Sequence, residues 1–250
     1  MTSKAVVFVE GPDAVGKDYF IAKLTTELQN LGYYVARPVV IKDYLDDKTK
    51  EAVKNKVKYD ESIVRAFLQA HQRSLNTLST FYSSTDNILI FNRSLFSMLV
   101  YNLLADGFIY DEDYKRVSIL HKDGFKDINI KHPAIYKSSL FEEFTQITKE
   151  LKTMLELYPC KYFINLHYEA FDDSYLDQSL NIAAARLINR AQNTAKNPVF
   201  SIERLNTVIA LYLNNSYGFA KELNMQYLPC TSSAYKEVGT VINNSLSIGT

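Results

Sequence analysis

The stretch FVEGPDAVGKDYF, residues 8–20, decides how the chain is read. It starts inside an apolar, β-rich run, AVVFVE at 5–10, and leads into a segment where Phe20, Ile21, Leu24, Leu28 and Leu31 recur at helical spacing until Gly32. The run predicts a strand, and the periodicity predicts a helix over 17–31 that a glycine ends. Between them stand Gly11, four residues, and then Gly16-Lys17. Glycines let successive backbone N–H groups turn inward around an anion, and a helix N-terminus adds positive potential. Such a turn also arises by chance, but a strand before it and a helix after it are the context a phosphate-binding P-loop requires. Gly11, Ala14, Val15, Gly16 and Lys17 are therefore expected to surround the phosphates of ATP, with Lys17 following charge as the γ-phosphoryl moves.

Two acids sit oddly in this stretch. The loop pattern calls for Ser or Thr after the lysine, and the chain has Asp18. A carboxylate is a hard oxygen ligand that suits Mg2+. It also favours the first turn of a helix through the helix dipole, with no metal at all. Asp13 lies inside a loop built to hold anions, and the loop alone gives it no use.

Composition leaves the class open but excludes several functions. The 250 residues are 47% hydrophobic and 22% charged, ordinary values for a globular chain. Lys+Arg and Asp+Glu are balanced at 28 each, which argues against a broad nucleic-acid surface. Cys160 and Cys230 are far apart and lack metal-ligand spacing, and the four histidines form no paired motif, so both sets are expected in packing or surface roles. No stretch approaches the roughly 20 apolar residues of a membrane span, and the apolar run at the N-terminus is too short for a signal peptide. The expectation is a cytoplasmic protein with no membrane partner.

Five β-rich runs, at 5–10, 33–40, 87–93, 161–167 and 225–230, alternate with helical patterns at 17–31, 61–83, 140–157, 176–194 and 201–223. This alternation predicts an α/β fold, a five-stranded parallel sheet flanked by helices, as one domain spanning 1–250. The polar segment 104–135 reads as helix plus loop inserted outside the sheet, within an enlarged 103–158 region.

Three further stretches resemble the thymidylate kinase family. NILIFNRSLFSMLVYN, 87–102, resembles its Asp-Arg-Tyr/His…Ser…Tyr-Gln segment with matching spacing, although Asn92 stands where the family has Asp. Arg93 falls on the arginine that binds the acceptor monophosphate, and Ser97, Tyr101 and Asn102 fall on positions that line the pyrimidine site. AFLQAHQRSLNTL, 66–78, resembles the Leu-Phe-Ala-Ala-Asp-Arg helix: Arg73 falls on an arginine that contacts the base, and Phe67 is offered for the family's stacking Phe, whose own position holds Gln69. Plain core packing explains the same helix. Residues 183–217 resemble the helical lid, about 186–203, in which Arg186 and Arg190 lie one turn apart and Lys196, Glu203 and Tyr212 or Tyr217 echo family residues; a solvated basic face has the same pattern. Arg37-Pro38 resembles the Arg-Glu-Pro turn after the second strand. Asp13 falls on the family's acid that binds the acceptor sugar 3′-hydroxyl. Only the P-loop and the 92–102 segment are specific matches.

The resemblance implies a P-loop NTPase fold and a kinase that moves the γ-phosphoryl of ATP, with Mg2+, to a deoxynucleoside monophosphate, dTMP being the expected acceptor. Lys17, Arg93, Arg186 and Arg190 would act at the reacting groups. Asp13, Arg37, Phe67, Arg73, Arg93, Ser97, Tyr101 and Asn102 would bind the acceptor, and Asp18 would hold the metal. A homodimer through the 61–83 and 95–104 stretches is implied too. The altered motifs and the Tyr/Asn/Lys-rich composition point to a viral or phage source, which would put the enzyme in a host cytoplasm. Alternatives are a deoxynucleoside kinase, whose strand-three motif Glu-Arg-Ser is close to Asn92-Arg93-Ser94, a kinase of a modified pyrimidine monophosphate, and a nucleotide-binding protein without turnover.

Overall fold

The computed structural model of the protein describes residues 4–38, 41–54, 60–85, 87–104, 116–121, 124–129, 139–168, 175–193 and 202–248. In chain order the elements are β1 (Ala5–Glu10), α1 (Lys17–Asn30), β2 (Val35–Ala36), a 3-10 turn (Ile41–Tyr44), α2 (Asp47–Lys54), α3 (Glu61–Ser74), α4 (Asn76–Tyr82) and β3 (Ile88–Asn92). They continue with α5 (Leu95–Met98), a π-helical turn (Leu99–Leu104), β4 (Arg116–His121), β5 (Gly124–Asn129), α6 (Ser139–Leu155) and β6 (Cys160–His167), then α7 (Tyr175–Asn193), α8 (Ile202–Glu222), β7 (Gln226–Thr231) and α9 (Tyr235–Ile248).

Five strands form one sheet in the order β2-β3-β1-β6-β7, every pair parallel. β1 is central, and all of its residues are buried, as a strand covered on both faces requires. Its alternation feeds two cores. Val6 and Phe8 join Leu89, Phe91 and Phe163 beneath α3 to α6 and α8. Ala5, Val7 and Val9 join Ile88, Ile90 and Ile164 beneath α1 and α9. The same alternation sends Glu10 to the first face, with Phe8, and Asn92 to the second, with Ile90 above α1.

The sequence reading needs correction in three places. The strand expected over 33–40 shrinks to Val35–Ala36. Pro38 lacks the N–H a ladder needs, and β2 is an edge strand. The helix expected over 61–83 breaks at Leu75 into α3 and α4. There the Ser74 hydroxyl donates to the His71 carbonyl at 2.7 Å, and the Leu75 and Leu78 amides reach only three residues back. Such side-chain back-bonding bends helices. The 104–135 insertion contains no helix among its described residues beyond the end of the π-helical turn. It holds the antiparallel hairpin β4–β5, with Arg116 opposite Asn129 and His121 opposite Gly124. The alternating RVSI run, followed closely by Asp123 and Gly124, carried the signal for it. β4 lies alongside α7 and α8.

α6 crosses α3, where Arg65 bridges Glu61 at 2.9 Å and Glu143 at 2.6 Å. Part of the 61–83 surface offered for a homodimer is therefore covered within the chain. No helix among the described residues is long and apolar enough to cross a membrane.

Because α1 carries the loop before it, the α1–sheet contact positions the site. Leu24 is fully buried in that contact. Leu24→Ala should cost about 2–5 kcal/mol of stability by urea denaturation. Tyr34→Ser, at a position 69% exposed, should stay within about 0.5 kcal/mol of the wild type in the same assay.

Candidate functional site

At the C-terminal ends of β1 and β3 the core turns polar. Glu10 is fully buried, and its carboxylate accepts four hydrogen bonds: from the Ser94 amide at 2.5 Å, the Ser94 hydroxyl at 2.7 Å, the Ser97 hydroxyl at 2.6 Å and the Tyr212 hydroxyl at 3.1 Å. A buried carboxylate is tolerable only when so satisfied. Ser94 also caps α5, its hydroxyl accepting from the Phe96 amide. The Tyr212 hydroxyl is pushed far up in pKa by burial and the Glu10 charge, so it stays a donor.

Arg93 follows β3 with φ of 73°, a left-handed conformation that is unusual for a bulky residue. Its amide donates to the Val9 carbonyl at 3.0 Å. The guanidinium donates to Asp13 Oδ1 at 2.6 Å, to Ser97 Oγ at 3.2 Å and to the Tyr212 hydroxyl at 3.4 Å, and lies 4.8 Å over the Tyr101 ring. Burial pushes the Asp13 carboxyl upward, but Arg93 and Lys17 outweigh it and hold the group below its ordinary value.

The loop 11–17 folds back on itself. Lys17 is buried, and its ammonium donates to the carbonyls of Gly11 at 2.7 Å and Pro12 at 2.6 Å. Burial, with the Arg93 charge, pushes its pKa down to about 7 against the pull of Asp13, Glu10 and Asp18. Gly11 has φ of 141°, and a Cβ there would lie 2.8 Å from the Leu166 carbonyl of β6; only glycine fits. Tyr168, just beyond β6, donates its hydroxyl to the Asp13 carbonyl. The Val15 side chain is buried in the core, which leaves only its backbone for a ligand. Arg186 on α7 reaches across and donates to the Ala14 carbonyl at 3.0 Å.

Two cavities open here. One, about 520 Å³, is lined by Asp13, Ala14, Gly16, Lys17, Asp18, Tyr19, Lys42, Asn92, Arg93 and Arg186. The other, about 360 Å³, is lined by Asp13, Phe67, Arg93, Ser97, Tyr101 and Asn102, together with Ile41, Lys42, His71, Asn92, Ser94, Met98 and Arg204. Both volumes suit small ligands, whose sites span about 300–1,000 Å³. Asp13, Lys42, Asn92 and Arg93 line both, so the cavities meet at that wall.

The structure thus brings most of the expected residues together; Gly11 and Val15 shape the loop without lining either cavity, and two arginines are set aside. Arg37 donates to Thr25 Oγ1 at 2.8 Å and the Ile21 carbonyl at 3.3 Å on α1, and lines neither cavity. Arg73 donates to the Tyr44 carbonyl at 3.0 Å and also lines neither. Both are taken up by oxygens of the protein instead, Arg37 by a hydroxyl and a carbonyl of α1 and Arg73 by a carbonyl of the 3-10 turn. The Arg190 and Glu203 side chains, and the lid turn 194–201 with Lys196, lie outside the described residues. Of the two lid tyrosines, Tyr212 reaches the site, whereas Tyr217 is 59% exposed and packs on Tyr227.

Sequence reasoning missed Glu10, Lys42 and Arg204, and took His71 for packing or surface. Glu10 did carry a signal, a lone charge ending an apolar strand, because a charge buried there needs partners. His71 lines the smaller cavity, and burial holds its pKa down to about 4, so its imidazole is neutral.

Asp18 and Asn92 face each other, the Asn92 amide donating to Asp18 Oδ1 at 2.7 Å. Among the described residues no three acidic, His or Cys groups converge. The donor set is one carboxylate and one carboxamide oxygen at the mouth of the larger cavity. That fits Mg2+, which takes one or two carboxylates and completes its shell with phosphates and water.

Removing the Glu10 carboxylate would leave its buried Ser94, Ser97 and Tyr212 donors without their acceptor. Glu10→Ala should cost about 3–5 kcal/mol by urea denaturation, and Glu10→Gln, which keeps the shape but turns an N–H toward a donor, about 1–3 kcal/mol. An effect below about 0.5 kcal/mol for both would contradict the network. Among known proteins, no family model matches the chain, and no curated sequence matches it.

Proposed function

We propose that the protein is an ATP-dependent, P-loop-type nucleoside monophosphate kinase, with a deoxynucleoside monophosphate such as dTMP as acceptor. The observation that carries this reading is the pair of cavities sharing Asp13, Lys42, Asn92 and Arg93. Transfer between two bound substrates needs two sites meeting at one point, with the reacting atoms held close. The larger cavity, over loop 11–17 and the start of α1, takes the triphosphate, and Lys17 exchanges its carbonyl partners for phosphate oxygens. The smaller takes the acceptor.

The charges favour a monophosphate over a free nucleoside. Three cations, Lys42, Arg93 and Arg204, line the acceptor cavity against the single acid Asp13. An acceptor phosphate is already an anion and needs no base, whereas a nucleoside hydroxyl needs one. The candidate bases are poor: Asp13 is held in its ion pair with Arg93 at 2.6 Å, and His71 is a weak base with a pKa of about 4. Arg93 binds the acceptor phosphate and releases Asp13 toward the sugar 3′-hydroxyl. The buried Asn102 amide, which lines the cavity, meets the polar edge of the base, and Phe67 and Tyr101 offer ring faces. Asp18 and Asn92 would hold Mg2+, which would supply positive charge to neutralise the donor phosphates. Arg186 closes over the loop from α7 and adds positive charge at the transferring group.

A coupled ADP-release assay across the four dNMPs and thymidine, with Mg2+, tests this. Turnover with at least one dNMP is expected. Turnover with thymidine alone would reassign the protein to the nucleoside kinases, and ATP binding without any turnover would make it a binding protein. Arg93→Ala should lower kcat/KM for the dNMP by on the order of 100- to 1,000-fold.

Lys17 gives a second test. Its pKa of about 7 belongs to the free protein, and bound phosphates favour the charged form. Binding of ATP should therefore take up close to one proton at pH 8 and almost none at pH 6, and affinity should fall as pH rises above 7. Calorimetry in buffers of different ionisation enthalpy reads the uptake, with Lys17→Ala as control. Equal uptake in the variant and the wild type at pH 8 would remove Lys17 from phosphate binding.

A further inference from the structure

On the reading above, we infer that Lys42 is the cation that holds donor and acceptor phosphates together at the transfer point, and that Arg73 is the positioning residue for the turn that carries it. The four residues shared by the two cavities are not equally available. Asp13 is an acid paired with Arg93. Asn92 donates to Asp18. The Arg93 guanidinium is spread over Asp13, Ser97 and Tyr212. Lys42 is exposed, and its ammonium makes no hydrogen bond or ion pair with any described residue. Among the described residues it is the one uncommitted cation of the shared wall. A compact ammonium on a flexible stem presents three donors and follows a moving phosphoryl group, which a forked guanidinium already bound on several sides does less well.

The backbone under Lys42 is fixed. It lies on the 3-10 turn Ile41–Tyr44, closed by the Leu45 amide donating to the Lys42 carbonyl at 3.3 Å, and Leu45 is buried. Two contacts tie the turn to α3 and α4. Arg73 Nη1 donates to the Tyr44 carbonyl at 3.0 Å, and the Tyr44 hydroxyl meets Thr77 Oγ1 at 3.3 Å. Arg73 lines neither cavity, so it reaches a substrate only through this turn. Arg73 and Thr77, one on each side of the break at Leu75, thus both meet the same residue, Tyr44.

The probe is a bisubstrate, adenosine and thymidine bridged by five phosphates, with ATP and dTMP as single-site controls. Lys42→Ala should weaken ATP and dTMP binding each only modestly, on the order of threefold, because the other cations of each cavity still meet the phosphates and a transition-state contact is lost mainly in kcat. It should lose on the order of 100-fold in kcat, and bisubstrate affinity should fall on the order of tenfold or more. Lys42→Arg should recover part of both. Arg73→Ala should lower kcat on the order of tenfold in the wild-type background and have no further effect on Lys42→Ala, since residues acting as one unit are not additive. Unchanged kcat and bisubstrate affinity in Lys42→Ala would overturn the role of Lys42. An Arg73→Ala loss that persists undiminished in the Lys42→Ala background would overturn the positioning role. Both are separable from failure of the kinase reading itself, in which the wild type neither turns over a dNMP nor binds the bisubstrate more tightly than ATP.

Discussion

The Glu10 carboxylate is the constraint around which the site is built. It sits at the end of the central strand, fully buried, and gathers the amide and hydroxyl of Ser94, the hydroxyl of Ser97 and the hydroxyl of Tyr212. Those partners come from the β3–α5 junction and from α8, two parts of the chain that lie 115 residues apart at Ser97 and Tyr212. A buried charge cannot be left half-satisfied without a large penalty, so Glu10 fixes their relative positions more sharply than apolar packing would. Arg93 is held from the same cluster. Its Ser97 and Tyr212 contacts are to groups that Glu10 already orients, and this is how a residue with φ of 73° keeps its conformation.

From that anchor the two faces of the sheet divide the work. Alternation along β3 turns Asn92 toward α1, where Asp18 and loop 11–17 lie, while Arg93, displaced by its left-handed backbone, turns toward α5, α8 and Asp13. One dipeptide at the end of one strand therefore supplies a polar group to each cavity. The wall between the cavities is thin for the same reason, and Lys42, arriving from the edge beside β2, lines both sides of it.

Much of this was legible in the sequence where local pattern decides structure. The apolar runs of β1, β3 and β6 and the heptad-like spacing of α1 are strong periodic signals, and the motif order located Lys17, Arg93, Ser97, Tyr101 and Asn102 in one region. What failed depends on tertiary partners. Arg37 and Arg73 read as ligands for an anion because a sequence does not say that a backbone carbonyl lies nearer. Lys42 was invisible because its turn follows a two-residue edge strand with no periodicity. The hairpin β4–β5 was missed because a polar segment hid a short alternating pattern, and the break at Leu75 because Ser74 bonds backward to His71 within what is otherwise one amphipathic run.

Asp18 is the residue whose meaning changes most once its partner is known. The loop pattern calls for a neutral hydroxyl at this position, and the family resemblance calls for an acid at the end of the third strand. The chain has the acid at position 18 and the neutral group at 92, and the two meet at 2.7 Å. Taken singly, each departure weakens a metal site. Taken together they exchange places: one negative charge and one neutral oxygen donor still face the mouth of the larger cavity. The exchange keeps the net charge of the pair and moves it across one hydrogen bond, to the side of loop 11–17. A Ser at 18 facing Asn92 would leave no charge, and an Asp at both positions would set two carboxylates against each other. The observed pair keeps one charge with one hydrogen-bonded partner, so under the kinase reading the two departures offset each other and Asp18 is the carboxylate that would face a metal ion.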